Sequence, residues 1–386
     1  MRAATVLCVA LAVLPLAFCF RPYPNLPVPT PSAYLNDAPA PHVHVIYTGG
    51  TIGMKKDENG EYVPCPGYLE EMTEELMFFH EPGMPTFDIT EYDPLLDSSN
   101  MTPDNWLMIA QDIESNYDDY DGFVVVHGTD TMAYTASALS FLLENLNKTV
   151  VVTGSQIPLS EMYNDGVFNL VGSIYVAGWY QIPEVGLWFN SKMYRGNRAQ
   201  KYSAWSLEAF DTATIDPLVS WGETVMVWDH NILPYTNNAL TVPTSISHDV
   251  TFMHMYPGIT GAHVEAIIGE GTGIKAVVVL AYGTGNGPSD NTSFLNALSS
   301  ANDRGVVIAI ATQTHQGNVD LGTYETGGAM ARVGGVGAFS MTPECCLTKL
   351  AYLMANHTSE EAKTLFQTVL RGEYYANIDS THAWRA

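Results

Sequence analysis

The sequence predicts a two-domain α/β fold, with a larger N-terminal parallel-sheet domain and a smaller C-terminal α/β domain. Three observations lead there. Short β-branched runs alternate with longer helical stretches, the pattern of crossover connections in a parallel sheet. Each run ends in a polar or glycine-containing turn. A tract interrupted by Pro217, Pro234 and Pro243 separates two such alternating blocks. At roughly 100–200 residues per domain, a chain of 386 residues accommodates two domains with a core each.

Taken in order, residues 1–19 read as a secretory signal peptide. Arg2 supplies the positive end, Val6–Leu14 the apolar core and Ala17-Phe18-Cys19 a small-x-small cleavage site. Against a membrane anchor, the apolar run falls short of the ~20 residues a bilayer requires, and Pro15 interrupts it. Residues 20–41 form a Pro-rich lead. Within the first domain, residues 42–210, strands are expected at His42–Tyr47, Phe123–His127, Val150–Thr153 and Val185–Phe189. Helices are expected over Thr131–Leu146 and Asn169–Trp179, with Asn164 or Asp165 placed to cap the second. Residues 211–248 read as a linker. The second domain, residues 249–386, carries strands at Val250–Met255, Ala276–Leu280 and Val306–Ile310. Its helices are read near His263–Ile268 and over Asp290–Leu298, Pro343–Asn356 and Ser359–Leu370.

Composition narrows the function. Lys and Arg number 16 against 41 Asp and Glu, a net charge of −25, so a phosphate backbone or anionic membrane meets a repulsive field. Nucleic acid and membrane are therefore excluded as partners. With Cys8 and Cys19 in the leader, Cys65, Cys345 and Cys346 remain, an odd number that is no disulfide scaffold, and adjacent Cys345 and Cys346 read as buried thiols. His42 and His44, spaced for one strand face, read as surface residues rather than metal ligands, and no metal or other cofactor is expected. Sequons stand at Asn100, Asn147, Asn291 and Asn356. The last three, near element ends, are the expected glycosylation sites. Asn100, beside Asp97-Ser98-Ser99, is expected to stay bare.

In an open parallel sheet, ligands bind outside the carboxyl ends of the strands. The first strand delivers Thr48-Gly49-Gly50-Thr51-Ile52-Gly53, and a later one His127-Gly128-Thr129-Asp130-Thr131. Neither carries a dinucleotide, P-loop or Gly-x-Ser-x-Gly signature. Either turn alone fits a tight turn or a helix cap, but two hydroxyl-rich strand ends together are harder to dismiss, and if a nucleophile exists it should be a threonine. A threonine needs a base, and among so few cations Lys201 stands out, in its neutral form.

These turns, with Thr153-Gly-Ser-Gln-Ile-Pro158, Asp97-Ser-Ser-Asn-Met-Thr-Pro103, Asn164-Asp-Gly166, Tyr194-Arg-Gly-Asn-Arg198 and Gly283-Thr-Gly-Asn-Gly-Pro288, resemble the bacterial-type L-asparaginase family. The match is nearest to its type I, cytosolic branch and runs from about His42 to the C-terminal helices. The resemblance implies that Thr51 attacks the substrate amide and forms a β-aspartyl ester. It implies that Tyr62 belongs to a lid that orients Thr51. Thr129, Asp130 and Lys201 match a second polar triad: Lys201 accepts a proton through Thr129, and Asp130 binds the substrate ammonium. Asp97, Ser98 and Ser99 match the grip on the α-amino and α-carboxylate groups. Asn286 matches a residue from the second domain acting across a subunit interface, in a homo-oligomer, dimer or tetramer. Cooperative type I relatives commonly carry Arg just before the Tyr-Gly-x-Gly-Asn turn, where this chain has Ala281.

The expected function is secreted hydrolysis of L-asparagine to L-aspartate and ammonia, with weaker action on L-glutamine. One competing reading is an archaeal-type amidotransferase subunit acting on transfer RNA. That protein resembles this chain plus a further N-terminal domain, and the acidic charge suits RNA badly. Another is a catalytically idle secreted binding or structural protein on the same scaffold.

Overall fold

The computed structural model describes residues 39–375. The predicted signal peptide and residues 20–38 of the lead lie outside the described residues. Strand β1 (His42–Tyr47) leads into a hairpin of β2 (Met54–Lys56) and β3 (Tyr62–Pro64), then α1 (Tyr68–Glu75) and β4 (Thr86–Glu91). Next come α2 (Pro103–Ser115), β5 (Gly122–Val126), α3 (Met132–Leu142), β6 (Thr149–Thr153), α4 (Gly166–Trp179), β7 (Val185–Phe189) and β8 (Lys192–Arg195). Four short strands finish this half: β9 (Gln200–Lys201), β10 (Phe210–Asp211), β11 (Val219–Trp221) and β12 (Val225–Val227).

Eight of these strands form one sheet in the order β12-β11-β8-β7-β6-β5-β1-β4. From β4 to β7 all neighbours are parallel, whereas β8, β11 and β12 run antiparallel at one edge. Every residue of β5, β6 and β7 is buried, because helices cover both faces. Period-two alternation sorts the side chains. Ile46, Phe123, Val125, Val150 and Val152 pack with Trp106, Ile109 and Ile113 of α2 and Met132, Ala136 and Leu139 of α3. On the other face, Val43, Val45, Val124, Val126 and Val151 pack with Leu69 of α1 and Leu170, Ile174 and Ala177 of α4. Each such aliphatic or aromatic side chain contributes about 1.5–3 kcal/mol on burial.

The second sheet, β13 (Val250–His254), β14 (Ala276–Ala281), β15 (Val307–Thr312) and β16 (Gly335–Gly337), is parallel in chain order. Its helices are α5 (Gly261–Ile268), α6 (Thr292–Asp303), α7 (Glu325–Arg332), α8 (Pro343–Asn356) and α9 (Ser359–Phe366). The α8 helix also packs on α3, where Ser137 Oγ and Thr348 Oγ1 lie 2.7 Å apart. After α9 the chain returns to the first domain. Asn197 Nδ2 donates to the Arg371 carbonyl at 2.9 Å, Arg195 to that of Gly372 at 3.1 Å and Arg198 to that of Glu373 at 2.8 Å. The Glu373 carboxylate pairs with fully buried Lys349.

The two-domain α/β expectation is met, with local differences. Residues 211–248, read as a linker, instead add β11 and β12 to the edge of the large sheet; strands of three residues have no detectable periodicity. The helix expected to reach Leu146 stops at Leu142, because Glu144 exchanges both backbone hydrogen bonds with Thr241, each 3.0 Å. The last helix stops at Phe366 rather than Leu370, with Lys349 Nζ taking the carbonyls of Phe366 and Thr368. His44, expected at the surface, is only 3% exposed: Tyr120 stacks on it at 4.6 Å and Thr90 bonds its Nε2. Burial lowers its pKa. The helix α4 is capped by Asn164, whose Oδ1 accepts from Val167 N–H. Asp165 instead accepts from the amides of Gln156 and Ile157 at 3.0 Å.

Candidate active site

Strand β1 has β4 on one side and β5 on the other, so the chain changes direction across it. A crevice forms at such a switch point, beyond the carboxyl ends of the strands. Three segments meet there. Gly49 and Gly50 adopt φ +131° and +99°. A side-chain carbon on Gly49 would lie 2.2 Å from the Leu96 carbonyl oxygen, and one on Gly50 2.5 Å from the Gly128 Cα. Only glycine allows the Thr51 turn to lie against both neighbours. Gly128 is constrained in turn, since a Cβ there would meet Ser98 Oγ at 2.5 Å.

At the β5 end, Lys201 Nζ lies 2.8 Å from both Thr129 Oγ1 and Asp130 Oδ1. The Thr129 hydroxyl donates to Gln156 Oε1 at 3.1 Å, and Gln156 Nε2 donates to the Ser206 carbonyl at 3.2 Å. The Lys201 side chain is 18% exposed and that of Asp130 66%, so the pair presents its carboxylate to solvent and shields its amine. Beneath them, fully buried His127 bonds the Gly128 carbonyl through Nδ1 at 2.7 Å and Thr135 Oγ1 through Nε2 at 2.9 Å. With Nδ1–H facing a carbonyl, Nε2 accepts from Thr135. Burial pushes the His127 pKa down to about 4.

The remaining predicted residues are distributed as follows. Thr51 is half-buried, and its hydroxyl has no hydrogen-bond partner among the described residues. Ser98 is buried and its carbonyl accepts from Thr131 Oγ1 at 2.7 Å, whereas Asp97 and Ser99 are exposed. Asp97 accepts from Ser99 N–H at 2.9 Å. Tyr62, expected over Thr51, instead donates to Glu161 Oε1 at 2.7 Å. Lys56 reaches the same oxygen at 2.6 Å, and Lys56 and Tyr62 hold the Glu161 carboxyl below its ordinary range. Asn286, in the turn after β14, accepts from Thr326 at 2.8 Å and bonds none of the other predicted residues.

Gln156 and Glu161 are the site residues that the sequence reading left unassigned. Gln156 lay inside the quoted Thr153–Pro158 motif, but its contact to Thr129 spans 27 positions and that of Glu161 to Tyr62 spans 99. Only tertiary structure shows such pairs.

Two glycosylation candidates differ from expectation. Asn147 Nδ2 donates to the Thr236 carbonyl at 2.8 Å and Asn291 Nδ2 to that of Ile259 at 2.8 Å, so the nitrogen that would carry a glycan is engaged in each. Asn356 is exposed, as is Asn100. Cys65, Cys345 and Cys346 are free; the latter two are fully buried, which raises their thiol pKa. Among the described residues no three His, Cys, Asp or Glu side chains converge as a metal site, and no helix is long and apolar enough to cross a membrane.

Chemically, the arrangement offers one uncommitted hydroxyl, a second hydroxyl wired to an amine, the exposed carboxylates of Asp97 and Asp130, and the exposed hydroxyl of Ser99. The amides of Gly128 and Thr129, without acceptors among the described residues, are available to an oxyanion.

Residues 42–233 match the family described as asparaginase, N-terminal, and residues 249–366 the glutaminase/asparaginase C-terminal domain. The chain is 46% identical over 333 residues to L-asparaginase 1 of Escherichia coli K12, spanning 86% of this chain and 97% of that protein. It is 37% identical over 359 residues to an L-asparaginase of Dirofilaria immitis, covering 86% of this chain and 60% of that one. The crystal structure of L-asparaginase I from Vibrio cholerae superposes with a TM-score of 0.80 at 42% identity, covering 87% of this chain and all of that one.

Proposed function

The chain belongs to the asparaginase family, and from that premise we propose that it hydrolyses L-asparagine to L-aspartate and ammonia, with weaker action on L-glutamine. The observation that carries the reading is the Thr129–Lys201–Asp130 cluster, closed by two contacts of 2.8 Å beside the Thr51 turn. Thr51 Oγ attacks the side-chain amide carbon, and the tetrahedral oxyanion is met by backbone N–H groups. Collapse expels ammonia and leaves a β-aspartyl ester on Thr51. Water then attacks that ester and returns the threonine. Lys201, as the neutral amine, accepts the Thr51 proton through Thr129 and returns it to the departing nitrogen, which leaves as ammonia; in the second step it takes a proton from the attacking water and returns it to Thr51 Oγ.

In this proposal Asp130 and Asp97 hold the substrate ammonium, while Ser98 and Ser99 hold its carboxylate. Tyr62 closes over the bound substrate by leaving Glu161 for Thr51. Asn286 acts across an interface in a homo-oligomer, dimer or tetramer, and residues 1–19 direct the protein to secretion. No metal or organic cofactor enters the cycle.

Ammonia release from L-asparagine by the purified protein tests the reading. Thr51→Ala and Thr129→Val are expected to fold and to lose roughly 10³-fold or more in kcat. Turnover near the wild-type rate in either removes that residue from the mechanism, and absence of ammonia release by the wild type would favour the idle scaffold.

A further inference from the structure

Gln200 and Lys201 together make up β9, and successive side chains of a strand point to opposite faces. On one face Lys201 reaches Thr129 and Asp130. On the other, the Gln200 amide bridges to the second domain. Its Oε1 lies 2.9 Å from His315 Nδ1, and its Nε2 lies 3.4 Å from each oxygen of Glu344. With a carbonyl oxygen facing it, His315 Nδ1 is the donor. His315 Nε2 stands 3.5 Å from Asp211, the residue that pairs with Gln200 in β10. Glu344 lies buried in the first turn of α8, the helix joined to α3 through Ser137 and Thr348. Because α3 begins at Met132, directly after Thr129-Asp130-Thr131, the second domain braces both sides of the Lys201 contact.

We propose that His315 is a positioning residue for Lys201: its bond to Gln200 holds the short β9 ribbon so that the lysine nitrogen stays within reach of Thr129. The inference rests on the reading of Lys201 as proton acceptor. The ribbon needs such a tie, because β9 and β10 pair over only two residues each and leave the large sheet. A misplacement of about 1 Å at a proton-transfer contact is enough to cost one to two orders of magnitude in rate.

The test is steady-state kinetics on the purified full chain. His315→Ala is expected to lower kcat about tenfold while KM for asparagine stays within about twofold, since the substrate-gripping residues lie elsewhere. His315→Asn, whose amide nitrogen can take the place of Nδ1, is expected to restore most of the loss. Gln200→Leu, which also cuts the Glu344 contacts, should lower kcat at least as far, and combining it with His315→Ala should lower kcat no further than Gln200→Leu alone, because the His315 tie is then already cut. An unchanged kcat in His315→Ala, a loss carried by KM, failure of the Asn rescue, or additive losses in the double variant each overturns the proposal. Lys201→Met separates the two readings. If it retains turnover, the proton-acceptor reading falls and takes this inference with it. If it abolishes turnover while His315→Ala is unaffected, only the positioning role falls.

Discussion

His127 makes the stability of the active-site floor depend on acid. Its imidazole is fully buried, bonded on both nitrogens, and held neutral by burial that brings its pKa from 6.5 to about 4. Between those values the unfolded chain carries a proton that the folded chain refuses. Stability therefore rises with pH in that window, is complete above 6.5, and is progressively lost as pH falls toward 4. Each tenfold change in proton affinity corresponds to 1.36 kcal/mol, so this residue accounts for about 3 kcal/mol across the window. The assay is urea unfolding at intervals from pH 7 to 4.5, comparing wild type with His127→Gln, which cannot titrate. The variant starts less stable because Thr135 and the Gly128 carbonyl lose well-aligned partners. The decisive quantity is the slope. Near pH 5.3 the wild type should lose up to about 1.4 kcal/mol per pH unit more than the variant. Parallel curves would show that the folded state takes up the His127 proton freely and would refute the argument.

Gly50→Ala places a methyl 2.5 Å from the Gly128 backbone at φ +99°, and is expected to cost at least about 2 kcal/mol in urea unfolding and most of the turnover. Substrate-saturation curves are expected to be hyperbolic, since Ala281 cannot bind an effector carboxylate; a Hill coefficient near 2 refutes this. In protein from a secretory host, peptide mass spectrometry should find glycan at Asn356 and none at Asn147 or Asn291, whose amide nitrogens are bonded to backbone. Occupancy at Asn147 would contradict that folded contact.

What could be read from sequence follows the strength of local signals. Strands β1 and β7 and helix α8 have the predicted bounds because a His-Val alternation running into the Thr48-Gly49-Gly50 turn, an unbroken apolar run and a Thr-Pro start mark their respective limits. Strand β4, Thr-Phe-Asp-Ile-Thr-Glu, went unseen: as an edge strand it buries half its residues partly and exposes the rest, so it lacks a strong apolar run. The helix α2 carries a Thr102–Asn105 capping box and Pro103 in its first turn, a legible start that the reading treated only as part of a motif. Both threonine turns were legible because their glycines are demanded by backbone approach. The partner of Tyr62 was not, because Glu161 is brought to the hairpin by folding of the intervening sheet.

The clasp of residues 371–373 onto Arg195, Asn197 and Arg198 has a consequence for the order in which the molecule can be completed. Arg198 is 2% exposed, and burial together with neighbouring Arg195 lowers its pKa to about 10. A buried cation stripped of its partners costs about 3–5 kcal/mol. During synthesis the first domain leaves the ribosome long before its acceptors at 372 and 373 exist, and domains begin folding as they emerge. Arg195 already pairs with buried Glu184 and Arg198 with Thr214 inside the first domain, so what waits for residues 372 and 373 is the last acceptor of each guanidinium, and their arrival completes the hydrogen bonding of two buried cations. A nascent chain halted before residue 372 therefore differs from the finished protein within the core of the first domain, where Arg195 and Arg198 each lack one acceptor.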